Sequence, residues 1–371
     1  MNMNPPAISA QVFAARARAL GLGLQRQAGP QDGQDITVST SVAHGVCGNG
    51  KAGDNGNGPC DQPPAGNTLA ITSTGLVKGW AYGGSNNLDR TAVTHNRATI
   101  SGLVTGHAMG SNHDIDAGCA IASNSAISVS GGGATAGASV WGAYAYAANG
   151  AATASNNAAS VSGGAAVGGD IYGGQAVASH GDTAASNNQV TIDGGKVAGT
   201  TIIGGEAISE AGAAAAENNT VTIQGHAILP GNARLYGGHA RASTIAVSSN
   251  NTLNLHVAGL SVQGLESFQN LNFHLPASLA AGGAMLKVTG EADLGANAAV
   301  AVGLEGGGPA RLRSGDSFDL IAGGVTGTIN PASTRGALGG YHYTLAVTGG
   351  SLRLTIGAAL DPGARSFAPR R

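Results

Sequence analysis

The segment Gly45-Val46-Cys47-Gly48-Asn49-Gly50-Lys51-Ala52 has the GxxxxGK spacing with which backbone N–H groups and a lysine cradle phosphate, and Gly48, Gly50 and Gly53 overlay a dinucleotide-type GxGxxG. The first pattern lacks the Ser or Thr that would hold magnesium. Neither pattern opens a helix, because AGDNGNGPC follows, so the expectation is a flexible loop. Gly315-Asp316-Ser317-Phe318 is the kind of neighbourhood that serine hydrolases use, yet no His and Asp partners can be assigned to Ser317. His107, His113, Asp114 and Asp116 offer imidazole and carboxylate ligands suited to zinc or manganese. Their spacing fits neither a strand nor a helix that presents two ligands together, so a polar loop is expected. Solenoid enzymes such as polysaccharide lyases gather carboxylates with Lys or Arg along one groove, whereas Lys51, Lys78, Lys196 and Lys287 fall in unrelated phases of the repeat described below. The sequence therefore nominates no catalytic, cofactor-binding or metal-ligating residue, and the chain is expected not to be an enzyme.

Cys47 and Cys60 bracket a Gly/Asn-rich loop and are a candidate local disulfide for an oxidising compartment, which leaves Cys119 over. The alternative is three unpaired thiols.

The elements that position these residues come from a repeat. An Asn, once a Ser, is followed by apolar residues two and four positions later, at Asn67, Asn96, Ser125, Asn157, Asn188, Asn219 and Asn251. The successive spacings are 29, 29, 32, 31, 31 and 32 residues. The pairs that follow (Leu69/Ile71, Ala98/Ile100, Ile127/Val129, Ala159/Val161, Val190/Ile192, Val221/Ile223, Leu253/Leu255) alternate with small or polar residues. That period of two marks a strand with one buried face. A Gly six residues past the anchor (Gly102, Gly131, Gly163, Gly194, Gly225) predicts a turn. A second block, Tyr82-Gly83-Gly84, Trp141-Gly142-Ala143, Tyr172-Gly173-Gly174, Ile203-Gly204-Gly205 and Tyr236-Gly237-Gly238, reads as a second strand ending in a Gly turn, and Ala-rich connectors then lead back to the next Asn. Stacked copies can pair strand on strand, and the anchor Asn residues are expected to form a hydrogen-bonded ladder from coil to coil.

The composition agrees with this. The chain of 371 residues holds 63 Gly, is 10% charged and 4% aromatic, and is 42% hydrophobic with a formal net charge of -2. Such a chain is not a disordered polyelectrolyte, and its core must be thin and built from small side chains. Neither nucleic acid nor an anionic membrane is a natural partner for so neutral a surface. Arg16 and Arg18 interrupt the apolar run a signal peptide would need, so no signal peptide is visible, and residues 7–20 are expected to form at most a short amphipathic helix.

From about Glu266 the side chains become bulkier: Phe268, Leu271, Phe273 and Leu275, then apolar runs at 285–288, 299–304, 318–321, 341–347 and 352–356. The expected organisation is an N-terminal segment over 1–35, short helix or disordered, and a repeat solenoid over 36–265. A C-terminal β cap over 266–358, whose Phe268, Phe273, Leu275 and Phe318 cover the open sheet edge, precedes a linker tail over 359–371. The fold class is all-β, a right-handed parallel β-helix of about seven ~31-residue repeats with a C-terminal cap.

The units ASNNAASVSGGAAVGGDIYGGQAVAS (154–179) and ASNNQVTIDGGKVAGTTIIGGEAIS (185–209), followed by LKVTGEADLGANAAVAVGL (286–304) and SGDSFDLIAGG (314–324), resemble the passenger domains of Gram-negative autotransporters, pertactin-like and adhesin-like β-helices. The resemblance covers roughly residues 65–360. It implies a right-handed β-helix, a cap that assists folding after export, and an outer-membrane barrel encoded beyond this chain. It further implies display at the bacterial cell surface or secretion, and adhesion, as a monomer, to protein or glycan ligands on host or neighbouring cells. A solenoid enzyme acting on extracellular glycans is the alternative.

Overall fold

A computed structural model describes residues 35–42, 45–47, 65–86, 92–306 and 312–360. The N-terminal segment to residue 34, the loop 48–64 with Gly48, Gly50, Lys51, Gly53 and Cys60, and the tail from 361 lie outside the described residues.

Alternating apolar residues with a 31-residue phase dictate coils that pair edge to edge, and the chain is an all-β, right-handed-type parallel solenoid of about eight turns. Two ten-stranded sheets run its length, flanked by three of six strands. A representative coil contains an anchor strand Ala158–Ser162, a two-residue strand Ala166–Val167, a long strand Ile171–His180 and a return strand Thr183–Ser186. Each pairs in parallel with its counterpart one coil on: Val161 with Ile192, Val167 with Val197, Ala176 with Ala207 and Ala185 with Ala216. The anchor sheet holds the seven strands announced by the Asn and Ser anchors. It adds Asp35–Val38 before them and Asn270–Leu275 and Ala299–Leu304 after them.

Two expectations need correcting. The Gly-Gly pairs are not turns: Tyr82-Gly83-Gly84 lies inside the strand Ala81–Asn86 and Tyr172-Gly173-Gly174 inside Ile171–His180. The Ala-rich connectors are not irregular return paths but regular strands such as Ala152–Ser155 and Ala214–Glu217. The cause of both is a second core. Val, Ile and Leu of the anchor, short and early long-strand positions form one apolar column that includes Val190, Ile192, Val221 and Ile223, whereas Ala145, Ala147, Ala176, Ala178, Ala185, Ala207 and Ala216 form a separate one. Apart from Ile115, only alanine methyl groups fill the second column, so the long strand and the return strand approach closely there.

The ladder of anchor asparagines divides the two cores. Asn157, Asn188, Asn219 and Asn251 are buried to within 1% of full occlusion. The backbone N–H of Asn157 donates to Asn188 Oδ1 at 3.0 Å, that of Asn188 to Asn219 Oδ1 at 2.9 Å, and that of Asn219 to Asn251 Oδ1 at 2.9 Å. The Nδ2 of Asn157, Asn188 and Asn219 each donates both to the next amide oxygen and to a carbonyl of the alanine column, as Asn188 Nδ2 does to Asn219 Oδ1 at 3.1 Å and Ala154 O at 2.9 Å. Every coil thereby satisfies polar groups that a turn would otherwise leave buried and unpaired. The ladder also explains the glycines, because a Cβ on Gly174 would stand 2.5 Å from Asn188 Oδ1 and one on Gly205 would stand 2.5 Å from Asn219. The residue preceding each ladder position is left-handed, with φ of 56° at Asn156, 57° at Asn187 and Asn218 and 52° at Asn250. In SNN, then, the first Asn makes the turn and the second makes the ladder.

Gln269 takes the ladder position one turn after Asn251, only 18 residues on, and accepts its N–H at 2.9 Å. That coil lacks a return strand, so the return sheet ends with Ala246–Ser249 at its edge and the alanine column ends with the partly buried Ala240 and Ala242. A single core must then fill the cross-section, which is why Phe268 and Phe273 appear here, each 1% exposed. The change of composition at 266 is not a change of architecture: Leu253 pairs in parallel with Leu271 and Leu271 with Val300. Parallel stacking ends further on, where Ser351–Ala359 runs antiparallel to Ser317–Ala322 and continues through Tyr341–Thr348 to Arg335–Leu338. No helix of the described residues is long and apolar enough to cross a membrane.

Candidate functional site

Polar and aromatic side chains concentrate on the outer face of the long sheet, because its strands, nine or ten residues at their longest, extend past the Gly-Gly pair and place matching positions of successive coils one above another. Met109, Trp141, Tyr172, Ile203 and Tyr236 share one register position. The rings stack along it: Trp80 meets His107 edge-on at 4.8 Å, His107 meets Trp141 at 5.0 Å, and Trp141 lies parallel to Tyr172 at 5.3 Å. Trp141 is only 5% exposed, so its faces are spent on neighbours.

Three residues further along, Tyr144, Gln175, Glu206 and His239 occupy one register. Trp141 Nε1 donates to Gln175 Oε1 at 2.8 Å, Gln175 Nε2 donates to Glu206 Oε2, and Glu206 Oε1 lies 2.8 Å from His239 Nδ1. The Glu206 hydrogen bond, ahead of the opposing effect of burial, raises the His239 pKa above its ordinary value. Arg234 pairs with Glu266 and lies 5.9 Å from the centre of the Tyr236 ring, while its Nε is buried without a partner. Burial raises the Asp170 carboxyl against the lowering effect of backbone bonds, of which the Thr201 N–H supplies one at 2.9 Å. Burial foremost also lowers the His107 pKa and lifts the phenols of Tyr82, Tyr144 and Tyr172 well above their usual range. Of these, Tyr82, His107 and Tyr172 lie against neighbouring rings. His239, 42% exposed and braced by a carboxylate, has the outline of an oriented base, but no hydroxyl of the described residues bonds its second nitrogen.

The residues weighed from the sequence are not brought together. His113 and Asp114 are neighbours on one strand and face opposite sides of it: His113 is fully buried, and its Nδ1 accepts the Ile121 N–H at 2.8 Å, whereas Asp114 is half-buried and Asp116 exposed. His107 lies on the same coil, directly before the strand Ala108–Ala117, and its Nδ1 accepts the Ser139 N–H at 3.2 Å. Ser317 begins the strand Ser317–Ala322, opposite Thr355, and no described histidine bonds its hydroxyl. Lys78, Lys196 and Lys287 are exposed at separate places. Cys47, buried in the short strand Val46–Cys47, is disulfide-bonded and Cys119 is free, while Cys60 lies outside the described residues.

Sequence reading missed a second cluster. His256, His274 and Glu305 lie on the outer face of the anchor sheet where the coil shortens, with His256 Nδ1 2.6 Å from Glu305 Oε2 and the two imidazoles parallel at 4.1 Å. Burial, then the neighbouring His256, lowers the His274 pKa against the opposing pull of Glu305. The available signal was the ladder phase: His256 follows Asn251 by five residues, and His274 follows Gln269 by five.

No protein-family model matches this sequence, and no curated protein matches it.

Proposed function

We propose that the chain is the passenger part of an autotransporter-type protein, displayed at the bacterial surface or released from it, that binds ligands without catalysis. The observation that carries this reading is the form of the solenoid: a parallel stack with a buried asparagine ladder whose last strands turn antiparallel, which is compatible with a pertactin-like passenger. Coils stacked in this way propagate one on another from a finished end, as suits a chain that folds after crossing a membrane, and the antiparallel strands from 335 to 359 supply such an end. The outer row supports binding over turnover, since Gln175, Glu206 and His239 are tied into one another along the rod. The partners we assign are protein or glycan ligands on host or neighbouring cells, with an outer-membrane barrel encoded beyond this chain as anchor.

The experiment is to add purified protein to epithelial and bacterial cells and, in parallel, to polysaccharides. Saturable retention on cells with no polysaccharide cleavage is the expected outcome. Cleavage abolished by Glu206→Gln or Asp170→Asn would replace this reading with the glycan-acting solenoid enzyme, which the proximity of these two carboxyls on one outer face favours.

A further inference from the structure

His256, His274 and Glu305 stand on three successive rungs of the anchor sheet. His256 follows the strand Thr252–Leu255, His274 lies within Asn270–Leu275, and Glu305 follows Ala299–Leu304. Each brings one imidazole or carboxylate ligand atom to a point where all three lie within 4.8 Å of one another. From this geometry we infer that the three side chains form a binding site for a zinc-class divalent cation, which would clasp the end of the two-core solenoid to the first coils beyond it. This inference is independent of the passenger reading.

The donor set selects the metal. Two imidazoles and one carboxylate suit zinc, cobalt, nickel or copper, whereas magnesium and calcium take oxygen ligands. Zinc holds such atoms at about 2.0–2.2 Å in a tetrahedral arrangement and keeps its fourth position for water when three protein ligands are present. The rung spacing of about 4.8 Å already sets the side chains near this separation, so the ligands close by rotation of side chains and not by movement of strands. The lone pairs of the stacked rings lie in parallel planes, so one imidazole has to turn to meet a shared ion. His274 is paired in register with Gly303, where a Cβ would crowd His274 Nδ1 at 3.3 Å, so the glycine leaves that side of the ring clear for the turn. Glu305 reaches back over this gap to His256, 49 residues earlier, so its carboxylate already spans all three rungs. The site is open to solvent, with side-chain exposures of 18% at His256 and 49% at Glu305, which gives an ion a path of entry.

The test is calorimetric titration of chelator-treated full-length protein with zinc chloride. One zinc ion per chain is expected to bind with a saturable isotherm. H274A and E305Q, both at partly open positions, should each weaken that affinity by at least about tenfold. H239A, on the other long sheet, should leave it unchanged. A second measurement needs no variant: zinc should protect His256 and His274 of the wild-type chain from diethylpyrocarbonate, read by mass spectrometry. Absence of saturable binding, affinity that survives either H274A or E305Q, or modification of both histidines undiminished by zinc would overturn the inference and leave the cluster a plain His–Glu hydrogen bond beside a stacked ring.

Discussion

The hydroxyl of Ser111 lies 2.6 Å from that of Ser125, at the rung where the buried ladder carries serine in place of asparagine. Ser111 occupies the register position that Gly84 holds one coil before. A larger residue on the long strand is thus matched by a smaller one in the ladder. Asn96 Nδ2 still finds an acceptor there, Ser111 Oγ at 3.0 Å, and the Ser125 N–H still donates to Asn157 Oδ1 at 3.0 Å.

Coupling between these two positions should therefore be measurable. Ser125→Asn alone crowds Ser111, and Ser111→Gly alone removes the bond from Asn96, so each is expected to lower stability. The double variant rebuilds the Gly–Asn pair of the preceding coil, Gly84 with Asn96, and should recover about 1–2 kcal/mol relative to the sum of the single changes. Urea denaturation of the four proteins gives the cycle, and strict additivity would count against the complementarity.

The two asparagines of SNN should differ in what they tolerate. Asn188→Ala deletes the acceptor for the Asn157 N–H and the bonds from Asn188 Nδ2 to Ala154 and Asn219, all of them buried, and should cost about 2–4 kcal/mol. At Asn187, where φ is 57°, Gly should be nearly neutral and Val should cost about 1–2 kcal/mol. Thermal melts of the three variants check the order.

The His239–Glu206 pair makes a pH-dependent contribution of definite sign. The folded pKa of His239 is raised above the ordinary 6.5, chiefly by its bond to Glu206, so the charged imidazole stabilises the fold fully below about that value. That contribution fades as pH rises through the folded pKa. His239 is 42% exposed, so screening holds the effect below about 1 kcal/mol. The gap between melting temperatures of wild type and His239→Gln should be widest near about pH 5.5 and narrow as pH rises through the raised pKa. A gap that widens with pH would refute this assignment.

The proposed Cys47–Cys60 bridge is checked by digestion without reductant and mass spectrometry. A cross-linked peptide pair containing these two residues is expected, with Cys119, exposed and free, alkylated in the unreduced protein. A Cys47–Cys119 pair, or alkylation of all three, would refute it.

The repeat, the anchor strands, their inward residues and the asparagine ladder are legible in the order of amino acids alone. All of these follow from period two within a strand and a fixed phase between coils, so that Val190 has to fall on Val221 and Asn188 on Asn219. Tertiary structure decided what depends on how far apart two strands lie. Gly173-Gly174 looks like a turn until the Asn188 side chain is found where a Cβ would go, and Ala184-Ala185-Ser186 looks like a connector until a second, methyl-lined core is found behind it. The His256, His274 and Glu305 cluster was hidden for the same reason. Its members are 18 and 31 residues apart in a chain whose coil length changes between them, and only the pairing of Leu253 with Leu271 and of Leu271 with Val300 puts them on adjacent rungs.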